Sequence, residues 1–315
     1  MSELSAEAIR KELSSLWASL EQADEGVVRA CSMTLVVFAD ERDDPAAIGR
    51  TLADLMRAHP HRAMLVRVRQ GGEPVLEHTV SAQCWMPPGG REQVCCEVVE
   101  FTVGESNLGE LSPILVALAA PDLPVVSWHR GARAPDTLGL RVDKRIVDSS
   151  AFPDAAAALG MLAGEAAAVA DLAWARITCW REIVAQAFES AVCRELLPRI
   201  ETVSVRYSGA RVPPEAFYLA GWILHALGRE QPVRFEAAAN GGRIEGLTLA
   251  AAGVSVSFTR HDSSVLIESG SLRNCAACPD RTEAGLLSEE IGAMAREPVF
   301  LGALRAAAKL ARGGR

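Results

Sequence analysis

The chain has 315 residues, enough for two domains with cores of their own, and 49% of them are hydrophobic, which excludes a disordered polymer. Its formal net charge is −8, so it lacks the broad basic surface that displaces counterions, and nucleic acid is excluded as the expected partner. Eight cysteines in a chain of this size, most in apolar surroundings, predict reduced thiols in a cytoplasm rather than a disulfide scaffold.

The opening MSELSAEAIRKEL has early acids and no apolar run, so no secretory signal is expected. Residues 3–22 predict an amphipathic helix inside an N-terminal piece, 1–30. A buried strand is predicted over 33–39 (MTLVVFA). Asp43 or Asp44 can cap a helix that has Pro45 in its first turn and runs to about Ala58. A second strand follows over 62–69 (RAMLVRVR), and the strand–helix–strand order implies parallel pairing. Strands over 75–85 and 93–103, joined by Pro87-Pro88-Gly89-Gly90, predict an antiparallel hairpin. A helix over 107–120, strands over 124–129 and 145–148, and helices over 154–170 and 171–197 complete a domain assigned to 31–197. The apolar run 114–128 is interrupted by Pro121, Asp122 and Pro124 and is too short to span a membrane.

A second domain, 198–315, is predicted to start with a strand over 200–207 and a helix from Pro213-Pro214 to Leu227. Strands over 233–239, 246–252, 254–260 and 265–271 alternate and are mostly antiparallel, and a helical tail covers 283–311. The expected fold class is α/β: an N-terminal mixed sheet flanked by helices, followed by a smaller α+β C-terminal domain.

Familiar catalytic fingerprints are missing: the chain has no GxxxxGK[ST] loop, no GxGxxG after a strand, no HExxH and no GxSxG. The segment 171–188, DLAWARITCWREIVAQAF, is the richest in interface-type residues. On a helical wheel Ala173, Ile177, Trp180, Val184 and Ala187 form an apolar stripe, with Trp174, Arg181 and Phe188 on one shoulder and Arg176 on the other. Tryptophan beside arginine is the usual composition of interface anchors. It equally fits a docking helix whose arginines satisfy buried carbonyls of the same chain. Trp174, Arg176, Trp180 and Arg181, with Trp128 and Arg130, are therefore the candidate partner-binding residues.

Three smaller motifs carry alternatives. Cys275-Ala276-Ala277-Cys278 is a CxxC: a redox pair, or a loop with two chance cysteines, with a metal site disfavoured by the lack of a well-spaced second ligand pair. Adjacent Cys95 and Cys96 point to opposite faces of a strand and are expected to be packed thiols. His59-Pro60-His61-Arg62 is either a phosphate or carboxylate site or a helix stop with a surface cluster. Asp148 and Ser149 end a predicted strand and form, with Arg130, a possible ligand rim, although both can also cap the next helix. His59 and Arg62, also ligand candidates, belong to the opposite rim.

The pieces MTLVVFA (33–39), HPHRAMLV (59–66), CCEVVEF (95–101), LPVVSWHRG (123–131), RIVDSSAF (145–152) and DLAWARITCWREIVAQAFE (171–189) together resemble the glucose-6-phosphate dehydrogenase assembly protein family, OpcA. The tail LLSEEIGAMAREPVFLGAL (286–304) is similar too, while 204–274 match only in layout. His61 and His129 depart from the family's usual residues, a small residue and an aromatic. The resemblance implies a non-catalytic cytoplasmic protein without a cofactor. Such a protein binds glucose-6-phosphate dehydrogenase, promotes its active oligomer or activates it allosterically, and supports the oxidative pentose phosphate pathway and NADPH supply. Two rival expectations stand beside it: a sugar-phosphate enzyme or sensor using the Asp148 rim, and a regulator controlled by Cys275 and Cys278.

Overall fold

A computed structural model describes residues 4–23, 26–71, 74–131, 137–165, 168–238, 244–295 and 297–313. In chain order the elements are α1 (Ala6–Ala23), β1 (Val27–Arg29), β2 (Met33–Asp40), α2 (Pro45–Met56), β3 (His61–Arg69), β4 (Leu76–Trp85), β5 (Gln93–Gly104), α3 (Leu108–Leu118), β6 (Val125–His129), β7 (Lys144–Val147), α4 (Ala155–Ala163) and β8 (Val169–Asp171). There follow α5 (Leu172–Arg176), α6 (Thr178–Ala187), α7 (Ala191–Arg194), β9 (Thr202–Ser208), α8 (Pro214–Leu227), β10 (Val233–Ala238), β11 (Ile244–Ala251), β12 (Val254–His261), β13 (Ser264–Ser269), β14 (Leu272–Ala277), α9 (Glu283–Gly292) and α10 (Pro298–Gly313).

These elements form two compact units, each discontinuous in sequence. The first comprises 1–148, 167–170 and 283–294; the second comprises 149–166, 171–282 and 295–315. Their borders do not coincide with the single boundary at Pro198 drawn from the sequence, because the chain returns to the first unit with α9.

The first unit is built on an eight-stranded mixed sheet in the order β1-β5-β3-β2-β6-β7-β8, with β4 antiparallel on β5. Strand β2 lies between β3 and β6, parallel to both, and its first seven residues are all buried. Burial on both faces explains the continuous apolar run MTLVVFA, which a one-sided strand would interrupt with polar residues. On one side Val36, Phe38, Met64, Val66, Val99 and Phe101 share a core with Leu111 and Leu115 of α3 and with Ile9 and Leu13 of α1. Helix α2 starts as expected: the Asp44 side chain accepts from the Ala46 amide and Pro45 fills the first turn.

The second unit carries a six-stranded sheet, β10-β9-β11-β12-β13-β14, antiparallel except for the β9–β10 pair. Helix α8 packs on α10 so closely that a Cβ added to Gly221 would stand 2.7 Å from the Ala303 carbonyl oxygen and the Ala307 nitrogen. Only glycine permits that approach.

Four expectations are corrected. The helix predicted over 154–170 ends at Ala163, and 169–171 is strand β8. Gly164 closes α4, and the backbone must be extended at Asp171 (φ −132°, ψ 123°) to cap the next helix. The helix predicted over 171–197 is broken into α5, α6 and α7. Ile177 interrupts it in the bridge region (φ −95°, ψ 6°), just before a second β-branched residue, Thr178. The tail divides into α9 and α10, with Pro298 opening the latter. The CxxC is not in a loop: Cys275 sits on β14 and Cys278 directly follows it.

The cysteines are not all reduced. Cys84 and Cys95 face each other across the β4–β5 hairpin, Cα atoms 4.0 Å apart, and are joined by a disulfide. A second disulfide joins Cys179 to Cys278, with Cα atoms 5.7 Å apart. Side-chain direction along a strand placed Cys95 correctly on one face, but the hairpin register that puts Cys84 opposite it is a tertiary property. Among the described residues, no helix is long and apolar enough to cross a membrane.

Candidate functional site

In the second unit the motif residues converge on Asp171, which is fully buried. Its Oδ1 accepts hydrogen bonds from the amides of Ala173 and Ser149, both at 3.0 Å, and its Oδ2 accepts from the Tyr218 hydroxyl at 2.8 Å. One carboxylate thereby caps α5, fixes the turn at Ser149 and ties both to α8. A buried carboxylate is tolerated only when so satisfied. Three residues on, Trp174 is 2% exposed and packs edge-on to Tyr218 at 5.8 Å and tilted to Phe300 at 5.6 Å. Arg181 lies over its ring, centroid distance 3.6 Å, and donates to Thr178 Oγ1 at 2.6 Å.

Trp174 and Trp180 therefore do not stand on an open surface, as the interface expectation required; both are core side chains. The wheel put Trp174 and Arg181 together correctly but could not say that their shoulder faces inward. The outward residues of α6 are Glu182, Ala185 and Gln186. Arg176 is more open, with 35% of its side chain exposed, and pairs with Glu215 at 3.3 Å. Ser150 also donates to Glu215, at 2.8 Å.

In the first unit Trp128 is likewise buried, and Arg130 stands over its ring with a centroid distance of 4.8 Å. Arg130 donates to Asp43 at 3.2 Å and to Glu283 at 2.5 Å. Burial works against its charge, but these carboxylates hold its pKa above the ordinary arginine value. Its neighbour His129 is buried, stacks on Phe38 at 4.8 Å and donates or accepts with Ser127 at 3.1 Å. Burial first, and the Arg145 charge second, lower its pKa to about 3.

The HPHR side chains are committed inside the fold. Arg62 donates to Glu97 at 2.6 Å and to the Leu118 carbonyl at 2.7 Å. Glu97, 3% exposed, also accepts from Trp17 Nε1 at 2.6 Å and pairs with Arg29 at 2.5 Å. His59 Nε2 is hydrogen-bonded to Ser288 Oγ at 2.9 Å. His61 is buried, donates through Nδ1 to the His59 carbonyl at 2.7 Å, and has its pKa lowered chiefly by burial.

Because β2, β3, β6 and β7 are parallel, Arg130 and Asp148 lie at one rim of the sheet and His59 and Arg62 at the other. Ser149 is fully buried and opens a single 3₁₀ turn, so its part in an accessible ligand rim is corrected: its backbone serves Asp171 instead. Cys275 is exposed and unbridged, and Cys278 is bonded to Cys179 rather than to Cys275. Among the described residues, no group of three His, Cys, Asp or Glu side chains is placed to hold a metal ion. Asp171, Tyr218, Glu215, Cys179 and Arg260 carry much of the polar architecture and were not singled out from the sequence. Asp171 alone left a signal, an N-cap position ahead of an apolar stretch.

The fold is an α/β unit with an added α+β region, and its family is shown by comparison. Residues 53–164 match the N-terminal domain, and residues 167–304 the C-terminal domain, described as "Glucose-6-phosphate dehydrogenase subunit" in the OpcA models. The chain belongs to the OpcA family. It is 25% identical over 193 residues to the "Putative OxPP cycle protein OpcA" of Synechocystis sp., covering 58% of this chain and 40% of that protein. It is 27% identical over 173 residues to the protein of the same name from Synechococcus elongatus, covering 52% of this chain and 38% of that one. The chain thus spans about two-fifths of the length of these curated relatives. Among solved structures, a glucose-6-phosphate 1-dehydrogenase from Mycobacterium avium is similar over 87% of this chain and 91% of its own, at 9% identity and a TM-score of 0.46. That likeness is too distant to bear on function.

Proposed function

We propose that this chain is a non-catalytic partner of glucose-6-phosphate dehydrogenase that promotes the enzyme's active oligomer or activates it allosterically. The observation that carries this is the pair of family matches, in order and nearly contiguous over 53–164 and 167–304, both described as domains of a glucose-6-phosphate dehydrogenase subunit. The placement belongs to the oxidative pentose phosphate pathway in the cytoplasm, with NADPH supply as the outcome. It is supported by the commitment of the motif side chains to the chain's own core, where they serve architecture.

An effector of this kind acts only through differential affinity: it binds the active oligomer more tightly than the inactive form. Within this proposal Arg176 is the member of the original candidate set best exposed for contact, and Trp174, Trp180 and Trp128 act by holding the adjacent arginines in place. The test is the host's dehydrogenase activity and oligomer size with and without the chain. A rise in activity with a co-eluting complex is expected. No complex and unchanged activity overturn the proposal.

A thiol-controlled variant of this role is favoured by one observation, the bond between Cys278 and Cys179 beside an exposed Cys275. The relevant pair is then Cys179 and Cys278, and reduction changes affinity for the enzyme.

A further inference from the structure

Strand β10 is an outer strand of the second sheet: β9 flanks it on one side, and among the described residues no strand flanks it on the other. One hydrogen bond tells which backbone groups face which way. Val203 donates its N–H to the Pro232 carbonyl, in a parallel ladder that sets Val203 beside Val233. Along a strand, successive residues point their N–H and C=O groups alternately to one side and the other. Pro232, Arg234, Glu236 and Ala238 therefore turn their backbone toward β9, and Val233, Phe235 and Ala237 turn theirs outward. Among the described residues these outward groups have no backbone partner. Such a row of unpaired groups is a template for another strand.

The side chains of β10, read VRFEAA, say which strand fits. Arg234 and Glu236 are exposed on one face, two residues apart, and neither is ion-paired among the described residues. Val233 and Phe235 point to the other face. There Phe235 meets Phe217 edge-on at 4.9 Å, and an apolar groove of about 600 Å³ is bordered by Leu224, Ala306 and Leu310. An antiparallel copy of the same strand, related by a two-fold axis at Phe235, suits both features. Phe235 then opposes the partner's Phe235, and Val233 opposes the partner's Ala237. These are the outward-turned residues, so they form the hydrogen-bonded pairs. Arg234 opposes the partner's Glu236 at the intervening position, where side chains approach most closely. The two-fold axis repeats that pair, so the strand is complementary to itself in charge. An axis at Arg234 or at Glu236 would instead set like charges opposite each other.

We infer that the chain self-associates through β10, two copies joining their second sheets edge to edge in a two-fold dimer. The groove borders the same strand, so the added copy shelters part of its apolar wall from water. A single strand pair buries little area beside the interfaces of permanent dimers, and the association is therefore reversible. This goes beyond the proposed partnership and does not depend on it, because both partners are this chain.

The test is sedimentation equilibrium of the whole chain at low salt, from low micromolar to several hundred micromolar. A concentration-dependent rise toward twice the monomer mass is expected. Arg234→Glu and Glu236→Arg each set like charges opposite each other, and each should weaken self-association at least tenfold. Mixed in equal amounts, the two variants present opposite charges at both positions, and the dimer should return. Ala237→Pro removes an outward N–H that β9 does not use. It should leave the circular dichroism of the chain unchanged and abolish the dimer. A chain that stays monomeric throughout overturns the inference. So does a dimer whose affinity is unchanged by Ala237→Pro, and so do charge variants that fail to recover on mixing.

Discussion

The Arg181 guanidinium lies over the ring of Trp174, 3.6 Å from its centroid, and Tyr218 and Phe300 pack against the same ring. This is a buried cation–π contact inside one chain. Truncating Trp174 therefore removes core before it removes anything else. Trp174→Ala is expected to destabilise the second unit by about 3–5 kcal/mol. Arg181→Ala is expected to cost about 1–2 kcal/mol. The double variant should cost less than the sum of the two, because the contact is lost only once. Urea denaturation of the four proteins checks this. Two folded single variants of unchanged stability would return Trp174 to the list of surface anchors.

The Cys179–Cys278 bond, with a sequence separation of 99, closes a loop that contains every strand of the second sheet. A loop of that length corresponds to roughly 4–5 kcal/mol of restricted unfolded-chain entropy. Reduction, or Cys278→Ser, should lower Tm strongly. Cys275→Ser should leave stability within about 0.5 kcal/mol of the parent and Tm nearly unchanged, because Cys275 is exposed and unbridged. Thermal melts of both variants with and without reductant distinguish this pairing from a Cys275–Cys278 couple, which predicts equal effects.

His129 gives the fold an acid limit. Its pKa falls to about 3 when folded, against 6.5 for the free group, so the unfolded chain takes up a proton that the native chain refuses. The stability tied to this group is complete above pH 6.5 and declines as the pH drops toward 3, by up to about 1.4 kcal/mol per pH unit. His61, lowered in the same direction by burial, adds to the slope. His129→Phe keeps the stack on Phe38 and removes the titration. Denaturation midpoints between pH 7 and 4 should therefore fall less steeply for that variant than for the parent, and parallel slopes would exclude His129 as the cause.

Local pattern carried the fold far but not the candidate site. Strand β2, helix α2, strand β3 and the β4–β5 hairpin follow from apolar runs, an Asp44 cap and a Pro-Gly turn, all of them short-range signals. The fold class followed from their order. Periodicity failed at Ile177, where one backbone residue in the bridge region breaks a wheel that looked continuous from 171 to 188. It was silent on β14, because LRNCAA has no β-branched or aromatic residue and is a strand only by pairing with β13. Burial decided the site. Trp174, Trp128 and Ser149 were all singled out for chemistry, yet a helix wheel or a strand end does not reveal which face elements distant in sequence will cover. Beyond the N-cap signal at Asp171, the roles of Asp171, Glu97 and Arg260 depend on partners distant in sequence, Tyr218 for Asp171, Arg62 for Glu97 and Trp180 for Arg260.

Lys144 offers the sharpest test of how α9 is held in the first unit. Its ammonium is 4% exposed and donates to Glu290 Oε2 at 3.2 Å, and to the carbonyls of Glu290 at 2.5 Å and Ala293 at 2.7 Å. Glu290→Leu strands a buried cation beside carbonyls that cannot neutralise it, and a loss of about 3–5 kcal/mol is expected. Lys144→Met added to that variant removes the stranded charge, and most of the loss should be recovered, since an apolar pair of similar volume often replaces a buried ion pair without net cost. Recovery in a double-mutant cycle, read by chemical denaturation, means that α9 is anchored by mutual neutralisation of Lys144 and Glu290. Additive losses mean that the two side chains anchor the helix independently of each other, Lys144 through the two carbonyls.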